Sequence, residues 1–409
     1  MPVTPHRQSD QRLLTPAYVL VTAATLGYFT ALGLLITTLP RYIKGPLHGD
    51  STGVGLAVGA FSVAAVVCRP LAGRLGDRRG RRLIMILGPA IVSAVVLLYP
   101  FAHSLTAVMG LRVLQGLGEG FFYTGAATLI TEMAPPDRRG EAVSYFSVAV
   151  YLGLAVGPGM GEALISGGHF GHAWVTVAAF AAAASALSLC VREPSRRRAP
   201  TGDLGGSQVA PPAEPHPPAP LIRNAGLVPG AVLGLSLIGM AGFNTFVPLY
   251  ALRVGMHGAG PVFVVYALAT LAGRVVFARL PDRLGAVPVA KVGMTFVAAG
   301  LAVVALVPNA AGLFIGAVVL SMGTSVNLPA MLSLTVARSA EHERGAAVGT
   351  MTAFFDVGQG VGAVMLGPIA TAFGYGVTFM VASAVSLVGV AWLMATGDGL
   401  TPQPAMVIA

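Results

Sequence analysis

Apolar residues occupy this chain in long blocks separated by short polar stretches. The blocks predict helices over 17–39, 53–72, 83–101, 106–133, 142–166 and 174–192, then over 226–251, 260–279, 288–307, 311–336, 345–373 and 377–396. Each is near or above the ~20 residues an α-helix needs to cross a hydrocarbon core ~30 Å thick. The expectation is an all-α membrane protein with 12 transmembrane helices. Residues 193–222 interrupt the series with Pro, Gly and Arg, including Arg196-Arg197-Arg198 and a proline run from Pro211 to Pro220. Such a stretch reads as an extended linker. It separates an N-terminal six-helix lobe, 1–192, from a C-terminal one, 223–409.

Composition agrees. Hydrophobic residues make up 55% of the 409 positions and charged residues 10%, too few charges to cover a water-soluble protein of this size. The net charge of +9 does not indicate nucleic acid, because the arginines lie in short clusters between apolar blocks. Nineteen Lys or Arg fall on the side of the termini and linker, three on the other (Arg41, Lys44 and Arg253) and three within spans (Arg69, Arg112 and Arg274). The positive-inside rule then places both termini and the linker in the cytoplasm, and the Arg-rich, Lys-poor, Ala- and Gly-heavy usage suggests a bacterial cell inner (plasma) membrane. Cys68 and Cys190 lie at apolar helix ends, so neither a disulfide framework nor a metal site is expected. The opening residues are polar and the first apolar run is too long for a cleavable signal.

The two halves repeat each other. Arg69, Arg74, Leu75, Asp77, Arg78 and Gly80 recur 205 positions later as Arg274, Arg279, Leu280, Asp282, Arg283 and Gly285, and the same offset carries Arg139-Gly140 onto Arg344-Gly345. A parallel duplication of this kind suits a carrier whose site lies between two lobes.

Three segments resemble signatures of the major facilitator superfamily, and the likeness extends over every span. Gly73-Arg-Leu-Gly-Asp77-Arg78-Arg-Gly80-Arg81-Arg82 is similar to its loop between helices 2 and 3. The resemblance implies a gating role for Gly73, Asp77, Arg78, Gly80 and Arg81, and for Asp282 and Arg283 in the repeat. Asp77 would cap helix 11, near Gly345, in the outward-open state; a turn serving topology alone is the alternative. Arg112-Val-Leu-Gln115-Gly116-Leu-Gly118 is similar to the helix 4 signature of proton-linked members, and Gly153-Leu-Ala-Val-Gly157-Pro158-Gly-Met-Gly161-Glu162 to that of the antiporter branch on helix 5. The fold implied is two pseudo-symmetric lobes, and the activity is proton-coupled efflux of small amphipathic molecules or drugs. The chain resembles the 12-helix drug:proton antiporter branch.

The residues themselves point to where such chemistry would sit. Arg112, Gln115 and Glu119 share one helical stripe, with Arg112 and Glu119 ~10 Å apart along the axis. A charge at a helix centre costs roughly 2.5–3.5 kcal/mol to insert, so it needs a partner or a wet cavity. Glu162 lies at a depth similar to Arg112 when counted inward, so it either pairs with Arg112 or competes with Glu119 for it. Asp356 sits mid-span on helix 11, flanked by Thr352 and Gln359, where the first half carries Tyr151. Weak hydration disfavours a carboxylate's charged form, which makes Glu119 and Asp356 candidate proton carriers, with Arg112 and Glu162 assisting; packing or binding of a cationic substrate are the alternatives for Asp356. Tyr28, Phe29, Gln115, Phe243, Asn244, Asn327 and Gln359 are candidate substrate contacts, because helices 1, 4, 7 and 10 line the cavity in the fold that the chain resembles. His103, His169 and His172 fall in outer loops.

No GxxxxGK[ST] motif occurs, since neither Lys44 nor Lys291 precedes Ser or Thr. The expected partners are a small-molecule substrate, protons and the lipid bilayer, with no nucleic acid and no cofactor, in a monomer. A sugar or amino-acid carrier on the same fold is the alternative. A membrane sensor that no longer transports is disfavoured by intact signatures in both halves, and an intramembrane enzyme by the lack of HExxH or GxSxG.

Overall fold

The computed structural model describes residues 14–135, 138–165, 168–193, 224–277, 279–339 and 344–396. The first lobe contains α1 (Pro16–Lys44), α2 (Ser51–Arg79), α3 (Arg81–Val96), α4 (Leu105–Met133), α5 (Arg139–Leu164) and α6 (Gly171–Cys190). The second contains α7 (Asn224–Arg253), α8 (Gly260–Val276), α9 (Ala286–Leu306), α10 (Ala310–Ala337) and a long helix, Arg344–Thr396, broken at Gly374. Gly374 has φ 80° and ψ 173°, a conformation that L side chains avoid, so this helix is two spans, α11 (344–373) and α12 (375–396). A five-residue helix, Leu280–Leu284, follows α8.

Local chemistry sets the ends. Thr15, Asp50, Ser104 and Asn309 accept backbone N–H bonds at the starts of α1, α2, α4 and α10, satisfying donors that have no intrahelical partner. The α2–α3 turn pivots on Gly80 at φ 98°, and its repeat on Gly285 at φ 87°. The predicted span 83–101 ends early, at Val96, and Tyr99–Phe101 is a 3₁₀ turn carrying Pro100, which cannot donate the next helical bond. The linker, from 194 onward, lies outside the described residues.

Among the described residues nine helices have the length and composition to cross a bilayer, one of them the broken α11–α12 pair, and α8 is a shorter apolar helix. The twelfth, α4, has 29 residues but carries Arg112, Glu119 and Glu132. The protein is therefore a multi-pass membrane protein with an all-helical fold.

Glycine decides how the helices meet. A Cβ at Gly153 would lie 2.7 Å from Thr30 N, one at Gly157 2.6 Å from Gly33, and one at Gly161 2.7 Å from Leu34 O. The helix 5 stripe is thus the face on which α1 packs, backbone to backbone.

The lobes meet along α2–α11 and α5–α8. A Cβ at Gly55 would overlap the carbonyl oxygen of Ala363, one at Gly59 would overlap Val364, and one at Gly360 would lie 2.6 Å from Ser62. Thr52 N donates to Thr371 Oγ1 at 3.0 Å, and the Ser51 and Tyr375 hydroxyls lie 3.3 Å apart. These contacts close the molecule at the end carrying the α1–α2, α7–α8 and α11–α12 turns.

Candidate functional site

A cavity of about 270 Å³ lies where the lobes meet, below that seal. Its wall is mostly apolar, with Phe29, Leu32 and Ile36 of α1 facing Leu233, Met240 and Phe263 of α7 and α8. Charged groups enter at four points, Arg112 and Glu119 from α4, Arg274 from α8 and Asp356 from α11, with neutral polar side chains such as Tyr151, Asn244, Asn327 and Gln359 between them.

Arg69 of α2 joins two of these. Its guanidinium lies 2.6 Å from Asp356 and 3.8 Å from Glu119, above the Tyr123 ring at 5.1 Å. Asp356 belongs to the other lobe, so one cation holds carboxylates from both. The Asp356 contact is close but not aligned as a hydrogen bond, and Arg69 Nε and Glu119 Oε2 are buried without a partner. A single guanidinium cannot neutralise both acids at once.

The 205-residue repeat reproduces this crossing with a different outcome. Arg274, the counterpart of Arg69, reaches from α8 to Tyr151, the counterpart of Asp356. Its Nη2 donates to the Tyr151 hydroxyl at 2.7 Å and its guanidinium lies 4.1 Å from the ring centroid.

Arg112 is held otherwise than the stripe on α4 suggests. It is buried, donating from Nε to Ala57 O at 3.2 Å and from Nη1 to Gln115 Oε1 at 3.0 Å, with its guanidinium over Phe61. Tyr99 also donates to Gln115 Oε1. Glu119, a further turn along, faces Arg69 instead.

Glu162 corrects the expectation that it meets Arg112. It stands three residues before Ile165, the C-cap of α5, at the sealed end rather than at cavity depth. There it pairs with Arg41 at 3.1 Å and accepts the N–H groups of Ala259 and Gly260 at 2.5 Å each. Those N–H groups open α8, so a carboxylate from one lobe caps a helix of the other, where the helix dipole favours negative charge. The repeat puts Gly367 at the matching place against Ser51 and Thr52, the start of α2.

Among the candidate substrate contacts, Phe29, Asn244, Asn327 and Gln359 line the cavity. Tyr28, Gln115 and Phe243 do not; each is fully buried behind the wall. Tyr28 packs on Phe122 at 4.3 Å, Gln115 is occupied by Arg112 and Tyr99, and Phe243 packs among Phe263 and Tyr266. Helical periodicity places such residues on a face without saying whether a neighbouring ring covers it.

At the opposite end from the seal, Asp77 is 64% exposed and lies 2.6 Å from Arg81 one turn on. Arg81 also bonds Glu132 of α4 and Gly73 O, and Arg82 bonds Glu193 and Leu189 O. In this conformer the Asp77 carboxylate engages its own turn, beside Arg78 and Gly80. Arg283 lies in the Leu280–Leu284 helix; the side chain of Asp282 and the surroundings of Gly345 lie outside what the structure describes.

A sequence profile of the Major Facilitator Superfamily matches residues 21–260 and 255–406. An uncharacterised transporter of that type from Salmonella typhimurium is 29% identical over 382 residues, covering 91% of this chain and 94% of its own. One from Burkholderia pseudomallei is 26% identical over 397 residues, covering 91% and 90%. Among solved structures, a bacterial homolog of the human lysosomal transporter Spinster, inward-facing and occupied, superposes with a TM-score of 0.76 at 16% identity, over 95% of this chain and 98% of that one. The nucleoside transporter NupG gives 0.69 at 15% identity, over 94% and 100%.

Proposed function

Because the chain belongs to the Major Facilitator Superfamily, we propose that it exports small amphipathic molecules in exchange for protons, by alternating access to the cavity between its lobes. The observation that carries this reading is the convergence of Glu119 and Asp356 on Arg69. One cation between two acids leaves a place for a proton, and the acids come from opposite lobes, so protonation changes the attraction between lobes. The resemblance of the helix 4 and helix 5 segments to proton-linked antiporters supports the direction of exchange.

With the termini cytoplasmic, as the distribution of arginine favours, the sealed end faces outward and the cavity belongs to the cytoplasmic side. Substrate then loads against the apolar wall of α1, α7 and α8, with Asn244, Asn327 and Gln359 orienting its polar groups. Opening toward the outside requires Glu162 to leave Arg41 and the α8 terminus, and the Asp77 turn to engage the α11 end in its place. Outside, a proton from the medium adds to Asp356 or Glu119 as substrate leaves. The return to the cytoplasmic side releases it while Arg69 recovers both carboxylates. Arg112, fixed by Gln115, contributes a standing positive charge near Glu119. The setting is a bacterial inner membrane, consistent with the source of the relatives.

A metabolite carrier is the second reading, favoured by the polar group of Ser236, Thr324, Asn327 and Gln359 on one wall. The test is proton movement in proteoliposomes under an imposed pH gradient, with cationic, neutral and anionic amphipathic dyes added in turn. Dye-induced proton flux is expected in the wild type and lost in Glu119→Gln or Asp356→Asn. Flux unchanged in both variants overturns the residue assignment, and dye movement indifferent to pH overturns the coupling.

A further inference from the structure

Arg274 is the counterpart of Arg69 in the repeat, but it has no acid. Among the described residues its guanidinium makes no ion pair. Its one side-chain hydrogen bond goes to a neutral phenol, Tyr151, and its Nε is buried without a partner. It also lines the central cavity, as Tyr151 does.

The two other arginines in this region are accounted for. Arg69 faces Asp356 and Glu119. Arg112 is almost entirely enclosed and spends its donors on Ala57 O and Gln115. Arg112 likewise has no acid but is buried, whereas Arg274 is only partly buried, lines the cavity and, among the described residues, has no acidic partner. A guanidinium at this depth is costly to hold without a counter-charge. Its fork of donors matches a carboxylate in two parallel bonds. Tyr266, whose hydroxyl donates to Thr324 at 3.1 Å, and Thr270 stand on the same wall.

We infer that Arg274 is the anchoring site for an anionic group on the cargo, a carboxylate in the simplest case, so that the transported amphipaths are organic anions. The substrate supplies to Arg274 what Asp356 supplies to Arg69. This inference rests on the central cavity being the substrate site of a transporter. It adds the charge of the substrate and the residue that reads it.

The test measures equilibrium binding to the full chain in lipid nanodiscs without any gradient. The probes are 2-naphthoate against 2-naphthamide and indole-3-acetate against indole-3-acetamide, pairs that differ in charge at nearly constant shape. At least one acid is expected to bind the wild type about tenfold more tightly than its amide, equivalent to about 1.4 kcal/mol. Arg274→Lys is expected to keep part of that preference, and Arg274→Gln to abolish it. Tyr151→Asp supplies Arg274 with an internal acid, as in the other lobe, and is expected to abolish the preference with Arg274 intact. It serves as the decisive variant if Arg274→Gln does not fold. No preference for an acid in the wild type, within either pair, overturns the inference. So does a preference that survives in Tyr151→Asp. Because binding is read without proton flux, loss of coupling in proteoliposomes fails the antiport reading alone, and loss of acid preference fails this inference alone.

Discussion

Asp356 of the second lobe lies 2.6 Å from the Arg69 guanidinium of the first. The contact spans the boundary between the two lobes, and Glu119 stands on its other side at 3.8 Å.

Replacing Arg69 by Gln leaves two buried acids without their cation. Breaking a buried pair by removing one partner costs about 3–5 kcal/mol, so the unfolding temperature of the purified protein should fall by several degrees. Adding Asp356→Asn removes the orphaned charge and should recover part of the loss. Coupling of about 0.5–3 kcal/mol is the range for residues in contact. Strictly additive effects in thermal unfolding would show that the two do not act as a pair.

Glu162→Gln should loosen the seal at the end carrying the α7–α8 turn. It exchanges a carboxylate that bonds Arg41, Ala259 N and Gly260 N for a neutral amide. Hydrogen bonds to charged groups contribute about 1.5–3 kcal/mol, a shift of roughly tenfold to a hundredfold in a two-state equilibrium. Spin labels at Lys44 and Arg253 should report a longer separation in the variant. An unchanged distance distribution would remove Glu162 from the latch.

Two glycine substitutions should fail in different ways. Gly157→Leu drives a side chain into α1 within one lobe, where overpacking costs about 1–3 kcal/mol, and should lower the unfolding temperature. Gly59→Leu drives one into α11 of the other lobe and should instead keep the seam open with each lobe intact. Thermal unfolding and the same spin-label pair separate the two outcomes.

Gln115 is expected to act through Arg112. Gln115→Leu deprives the buried guanidinium of its 3.0 Å acceptor and should cost about 1.5–3 kcal/mol. Tyr99→Phe removes only the neutral bond to Gln115 and should cost about 1 kcal/mol. Equal losses in thermal unfolding would show that Gln115 serves Tyr99 rather than Arg112.

Much of this architecture can be read from the chain. Apolar blocks near the length of a bilayer crossing locate the helices, and the 205-residue offset pairs them. The mid-span positions of Glu119 and Asp356 mark them as unusual, because few other acids lie that far from a loop. The partners are harder to read. Arg69 adjoins a run of topogenic arginines, and its role depends on α2 facing α11, a relation between helices some 290 residues apart. The offset that maps Arg69 onto Arg274 and Asp356 onto Tyr151 was the available signal, once both crossings are known to be contacts. The depth of Glu162 is hard to read because the end of α5 cannot be fixed from hydropathy, and a shift of one turn moves a side chain by about 5 Å. Asp77 lies beside Arg81 in this conformer, and a sequence does not say to which conformer a contact belongs.

The glycine seam between α2 and α11 has a mechanical consequence. Interlocked leucines must change rotamer, one after another, before two surfaces can part, whereas Gly55, Gly59 and Gly360 present backbone and small groups with few side chains to disengage. The seam therefore works as a smooth bearing. Its friction is low, and the resistance to opening falls to a few polar catches at its end, the Glu162 carboxylate in the mouth of α8 and the Thr52–Thr371 and Ser51–Tyr375 bonds.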